Sequence, residues 1–226
     1  VTWTILGPEP KFEVRSFSRP RPLLEWEQMS QEENKSKRVV IVGIPGVGKS
    51  SVVGKVEEVL KSRGAQFEVV NFGTVMMEKA TELHGVRSRD EIRKLPIDVQ
   101  RKLQIHAANE ISKLEKPNVI VDTHLFIATS EGFWPGMPMD VLQALRPTNL
   151  VMVVATPEEI ISRRQNDSAR ARDKATRETL ELEFSVADAF LYSSSLVVGC
   201  PALVVNNRTG GVSEAAEKII NAALTG

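Results

Sequence analysis

The chain has 226 residues, enough for one α/β domain with a full core and an appendage. Its 29 basic and 29 acidic residues balance, which disfavours a broad basic face for duplex nucleic acid and leaves room only for a local basic cluster. The single Cys200 excludes an internal disulfide, three scattered histidines give no zinc-ligand spacing, and no apolar run reaches the ~18 residues of a membrane span.

Residues 1–37 differ from the rest. Pro8, Pro10, Pro20 and Pro22 interrupt any regular element, and a charged stretch, Gln31 to Lys37, leads into the first strand. The expectation is a mobile N-terminal extension; a docked arm using Trp3 and Trp26 is the alternative, and a natural start at Met29 would place residues 1–28 upstream of the protein proper. The first residues lack the apolar core of a signal peptide, so a reducing, cytoplasmic compartment is expected.

From Arg38 the pattern alternates strand and helix, the signature of a parallel sheet covered on both faces. Arg38 to Val42 is nearly all β-branched and reads as a buried strand. Gly43-Ile44-Pro45-Gly46-Val47-Gly48-Lys49-Ser50 follows and fits G-x-x-x-x-G-K-[ST], the phosphate-binding loop. Gly46 and Gly48 let the backbone approach an anion without a Cβ in the way, and successive N–H groups form a nest for phosphate oxygens. Lys49 adds a cation, and the Ser50 hydroxyl suits Mg²⁺. Val52, Val56, Val59 and Leu60 then share one helical face, ending near Lys61-Ser62-Arg63-Gly64. Strand, loop and helix in this order make an ordinary glycine turn the weaker explanation.

Phe67 to Phe72 reads as the second strand, and Val75 to Leu83 as a short helix. Ser88 with Glu91 reads as a capping box, and Pro96 opens a helix to about Lys116. Asn118 to Asp122 is the third strand. Gly132, Pro135, Gly136 and Pro138 mark a long loop; Leu150 to Val154 is the fourth strand and Pro157 to Arg164 a helix. An arginine-dense segment follows, with Arg163, Arg164, Arg170, Arg172 and Arg177. A helix from about Thr176 to Leu196, a fifth strand Ala202 to Val205 and a helix from Ser213 to Ala223 complete the chain.

Two features add chemistry to the loop. Asp122 ends a strand where a sheet's carboxyl edge meets a ligand, and an acid there suits Mg²⁺. The planar, permanently charged guanidinium suits phosphoryl transfer, and Arg170 and Arg172 lie among Asp167, Ser168 and Asp173 with no apolar period, as in a flap that closes over phosphates. The alternative for the cluster is a solvated helix face, strongest for Arg177 with Glu181 four residues on. No N-K-x-D motif supports guanine specificity. Fold and loop favour a small kinase of nucleotides or metabolites.

Six stretches in order carry a resemblance: GIPGVGKS at 43–50, VNFGTVM at 70–76, RDEIRKL at 89–95, VDTH at 121–124, EGFWPGMP at 131–138 and RRQNDSARAR at 163–172. From Val39 onward the chain resembles the archaeal type of adenylate kinase. The resemblance implies a five-stranded parallel sheet flanked by helices over 38–226, an acceptor-side helical insertion at 73–116 and a lid at 165–175. It implies transfer from Mg-ATP to AMP, with ATP and AMP as partners, no nucleic acid and no membrane, and a homotrimer. Gly43, Ile44, Pro45, Gly46, Val47, Gly48, Lys49, Ser50 and Ser51 would wrap the donor phosphates, with Asn206 beside the adenine. Thr74, Arg89, Arg93 and His124 would serve the AMP side, Ser50 and Asp122 the Mg²⁺ ion. Lys49, Arg93, Arg163, Arg170 and Arg172 are the candidate catalytic cations. Where the family pattern has Lys or Arg before Thr-Pro, this chain has Ala128-Thr129-Ser130, one positive charge fewer near the acceptor. The other readings of the residues are an ATP-hydrolysing switch gripping RNA, which zero net charge and few aromatics disfavour, and a kinase for CMP or UMP.

Overall fold

A computed structural model describes residues 36–129, 131–166 and 176–224. The expected N-terminal extension with Trp3, Trp26 and Met29, the position Ser130, and the lid residues Arg170 and Arg172 lie outside the described residues.

Five strands form one parallel sheet: β1 (Lys37–Val42), β2 (Glu68–Asn71), β3 (Asn118–Asp122), β6 (Asn149–Val154) and β7 (Ala202–Asn206). Their order is β2-β3-β1-β6-β7. Val39 to Val42, Val119 to Val121 and Leu150 to Val153 are buried on both faces, which is why these strands read as continuous apolar runs instead of alternating. The register aligns the carboxyl ends: Asn71 and Ile41 both stand opposite Asp122, and Asn206 stands opposite Val154.

α1 (Lys49–Ser62) packs against α8 (Val212–Ile219). A second group comprises α2 (Phe72–His84), α4 (Ile97–Ser112), α5 (Met139–Leu145) and α7 (Arg177–Val198), with α4 touching both α2 and α5, and α5 touching α7. The short α3 (Arg89–Arg93) joins α2 to α4. Ala80, Val86, Ile92 and Leu103 form a small core of their own under these three helices, apart from the main core. α6 (Pro157–Asn166) follows β6, and a π-helical turn over Ile220–Leu224 continues α8.

Three details depart from the sequence reading. The stretch taken as a long loop contains an antiparallel hairpin, β4 (Phe126–Thr129) and β5 (Gly132–Pro135), followed by α5. Within it Phe126 meets Phe133 edge-on, at 5.0 Å and 84°, and Phe126 also ties the hairpin to the body through contact with Phe190 of α7 at 5.9 Å. The second helix starts at Phe72, three residues early, because the Asn71 side chain caps it by accepting from Thr74 N at 3.0 Å. Ser88 Oγ accepts from Glu91 N as expected, but the Glu91 carboxylate takes the Arg87 N–H at 2.8 Å instead of returning to Ser88. A reciprocal box does exist at the start of α6, where Thr156 and Glu159 exchange backbone bonds with Pro157 as the first helical residue.

Candidate active site

The loop between β1 and α1 turns on two glycines with positive φ, Gly46 at 93° and Gly48 at 83°. Backbone of that kind admits glycine and strains other residues. Gly48 is the N-cap of α1, so the loop delivers its amides to a helix N-terminus, an anion-favouring end. Lys49 is buried at 9% exposure and its Nζ is ion-paired with Asp122 Oδ1. Burial draws the ammonium down to about 8, which leaves it mainly charged at pH 7. The other Asp122 oxygen accepts from Asn71 Nδ2 at 2.8 Å. Three neighbouring strands thus bring Lys49, Asp122 and Asn71 to one point on the sheet edge.

Two arginines in the last turn of α6 hold the outside of the loop. Arg163 Nη1 donates to Val47 O at 3.0 Å and its Nη2 to Asn207 O at 2.9 Å, with Glu159 3.7 Å away. Arg164 donates through Nε and Nη2 to Pro45 O, at 3.1 and 2.7 Å, and pairs with Glu183 of α7 at 3.1 Å. Arg163, expected as a cation for the transferred group, is engaged here with carbonyl oxygens of the protein. Burial pushes the Glu159 carboxyl up, but bonds from Thr156 and Thr209 outweigh it and hold it at about 2, so it is a permanent anion between α6 and the turn after β7. Asn206 itself is exposed at the end of β7.

On the other side of the loop a cleft of about 410 Å³ opens between β3, the β4–β5 hairpin, α7 and the α2–α4 insertion. That volume suits a small ligand. Gly43, Ile44, Pro45 and Asp122 border one end; Arg89, Arg93 and His124 bring positive and polar groups to it; Met76, Ile92, Phe126, Ile127 and Ala128 supply an apolar wall. The cleft thus joins residues drawn from widely separated stretches of sequence. Thr74 does not line it; with Arg89 it borders a shallow outer surface of α2. Arg93 Nη1 pairs with Asp90 at 2.8 Å on an exposed surface, a link weak enough to exchange for another anion. Gln100 and Gln104, not singled out by the sequence reading, also face the cleft, on successive turns of α4.

His124 opens onto the cleft, but the protein around it strips water from the ring, and Lys49, Arg89 and Arg93 add positive charge; together these hold the imidazole down at about 4. It is neutral at pH 7 and acts as a hydrogen-bonding group, not a cation. Because the folded value lies below the unfolded one of about 6.5, the folded state binds fewer protons in between, and His124 lowers stability as pH falls from about 6.5 to 4. A proton NMR titration should give the His124 ring a midpoint near 4; a midpoint at or above 6.5 would contradict this electrostatic picture.

Among the described residues no group of three or more Asp, Glu, His or Cys could cage a metal, and no helix is long and apolar enough to cross a membrane. A family model described as an AAA domain matches residues 42–181. The adenylate kinase of Methanocaldococcus jannaschii is 38% identical over 187 residues, 82% of this chain and 97% of that protein. The adenylate kinase of Pyrococcus horikoshii is 37% identical, covering 80% and 92%, and that of Sulfurisphaera tokodaii 35%, covering 82% and 98%. Among solved structures, a shikimate kinase from Acinetobacter baumannii in complex with shikimate shares the fold, with a TM-score of 0.53, 16% identity and coverage of 86% and 97%. With the phosphate loop, the five-stranded parallel sheet and relatives matched over nearly their whole length, the chain belongs to the adenylate kinase family, phosphotransferases of the P-loop class.

Proposed function

We propose that the chain moves the γ-phosphoryl group of Mg-ATP reversibly to AMP, giving two ADP. The observation that carries this reading is the placement of the phosphate loop and Asp122 at one end of a cleft whose walls hold Arg89, Arg93 and His124. An enzyme of this kind binds two polyanions with their phosphates in line, and each needs its own cations. The loop Gly43–Ser51 wraps the donor triphosphate with its N–H groups, and Lys49 supplies a charge for the β- and γ-oxygens. Residues 73–116 form the acceptor side, where Arg89 and Arg93 hold the AMP phosphate and the apolar wall at Met76 and Ile92 takes the base. An oxygen of that phosphate attacks the γ-phosphorus, the bond to the β,γ-bridging oxygen breaks, and the leaving ADP keeps the electron pair. The protein positions and neutralises; it does no covalent chemistry itself.

Ser50 and Asp122 would hold Mg²⁺. One hydroxyl and one carboxylate are the sparse oxygen set this ion uses when phosphates and water supply the rest, and Asp122 is steadied by Asn71. When bound, the ion neutralises phosphate charge. We propose a homotrimer on the family resemblance; sedimentation at micromolar concentration should give three times the chain mass, and a monomer would refute it.

A screen of nucleoside monophosphates with Mg-ATP tests the reading. AMP should be the best acceptor. Turnover of CMP or UMP in its place would assign the cleft to another acceptor, a result that Ala128 on the cleft wall would help to explain.

A further inference from the structure

The turn after β7 is anchored on two sides. Asn207 N donates to Val154 O at 2.8 Å, on β6; Arg163 donates to Asn207 O, and Thr209 donates through N and Oγ1 to Glu159 at 2.6 and 3.0 Å, on α6. From this fixed turn one side chain reaches the phosphate loop. Asn207 is 2% exposed, and its Nδ2 donates to Val47 O at 2.8 Å. Its Oδ1 is buried with no hydrogen-bond partner among the described residues. A buried amide oxygen left unpaired weakens the fold, so an apolar side chain of the same shape would pack there at least as well. The amide at this position is therefore explained by its N–H, not by packing.

The peptide bond shows what that N–H does. Val47 O and Gly48 N belong to one planar trans unit and point in opposite directions. Pinning the carbonyl outward, with Asn207 and Arg163 as its two donors, aims the Gly48 N–H inward at the α1 N-terminus. Arg164 does the same two peptide units earlier, where its grip on Pro45 O turns the Gly46 N–H the opposite way. Gly48 and Asn207 also interlock, since a Cβ at position 48 would stand 2.4 Å from Asn207 Nδ2. The arginines carry charge of their own toward an anion; Asn207 does not, so its effect on the donor is purely one of orientation.

We propose that Asn207 is a positioning residue of the donor site: it fixes the Val47–Gly48 peptide so that the loop's N–H groups face the triphosphate. The inference rests on the reading of this loop as the ATP site. The test uses Asn207→Leu, which keeps the shape and removes the donor, and Asn207→Asp, which sets a second acceptor against the Val47 carbonyl. Mg-ATP and AMP binding are measured separately by calorimetry, with a thermal melt of each variant. Both variants should bind Mg-ATP about three- to tenfold more weakly, the span of one lost hydrogen bond, with AMP binding within about twofold of the parent and no loss of melting temperature in Asn207→Leu. Unchanged Mg-ATP binding would overturn the inference. So would equal weakening of both nucleotides with a lower melting temperature, or failure of Asn207→Leu to fold, since each would make the side chain a general support of the fold. Failure of the parent protein to phosphorylate AMP would instead count against the acceptor reading and leave the Asn207 result interpretable.

Discussion

Lys49→Ala should lower turnover by about 10²- to 10³-fold, the weight of one preorganised group aimed at developing charge. The ammonium sits at the mouth of α1, mainly charged at neutral pH, and is ion-paired with Asp122 on the adjacent strand end. An incoming triphosphate offers that ammonium more negative charge than one carboxylate does, and the stem is already ordered by burial. The fold should survive, because Asp122 keeps its bond from Asn71 and borders the open cleft, where water can solvate it. Steady-state kinetics with a thermal melt read both effects. Near-normal turnover in a folded variant would remove Lys49 from the account.

Arg93→Ala should weaken AMP by about 10- to 150-fold and leave Mg-ATP close to the parent value, the range expected for one charge-assisted phosphate contact of roughly 1.5–3 kcal/mol. The asymmetry follows from charge placement. On the proposed reading the donor has the loop N–H groups and Lys49, and the acceptor Arg89 and Arg93, since His124 is neutral at pH 7 and Ala128 stands where the family pattern has a cation. Arg93's bond to Asp90 is solvent-exposed, so breaking it costs little and does not mask the loss. The complementary change, Ala128→Lys, should tighten AMP. Calorimetry on each nucleotide separates the two sides; equal weakening of both by Arg93→Ala would show that the insertion at 73–116 does not serve the acceptor.

What could be read beforehand follows physical signals that are local in the chain. The β-branched runs at 39–42 and 119–121 are buried on both faces and needed no partner to be identified. Glycine, lysine and serine spacing located the phosphate loop, and the acid closing the third strand located Asp122. The strand order was not legible, because apolar runs of similar composition do not state which neighbours which; β1 lies between β3 and β6, both distant in sequence. The β4–β5 hairpin was hidden by Gly132, Pro135 and Gly136, whose turn-forming character masks a pair of four-residue strands. Arg163 and Arg164 were visible as charge, yet their partners, the Val47 and Pro45 carbonyls, lie more than a hundred residues away and carry no side-chain signature. Asn207 escaped for the same reason: a backbone carbonyl leaves no trace in sequence, so only the fold reveals the strut.

The most direct measurement supplies the protein with Mg²⁺ and ADP alone and follows the nucleotides by phosphorus NMR. Transfer between two bound nucleotides predicts ATP and AMP appearing in equal amounts, with no inorganic phosphate, and the same mixture reached from ATP plus AMP. Release of inorganic phosphate, or no conversion of ADP by a protein that binds Mg-ATP, would contradict the account and return the chain to the class of nucleotide-hydrolysing switches.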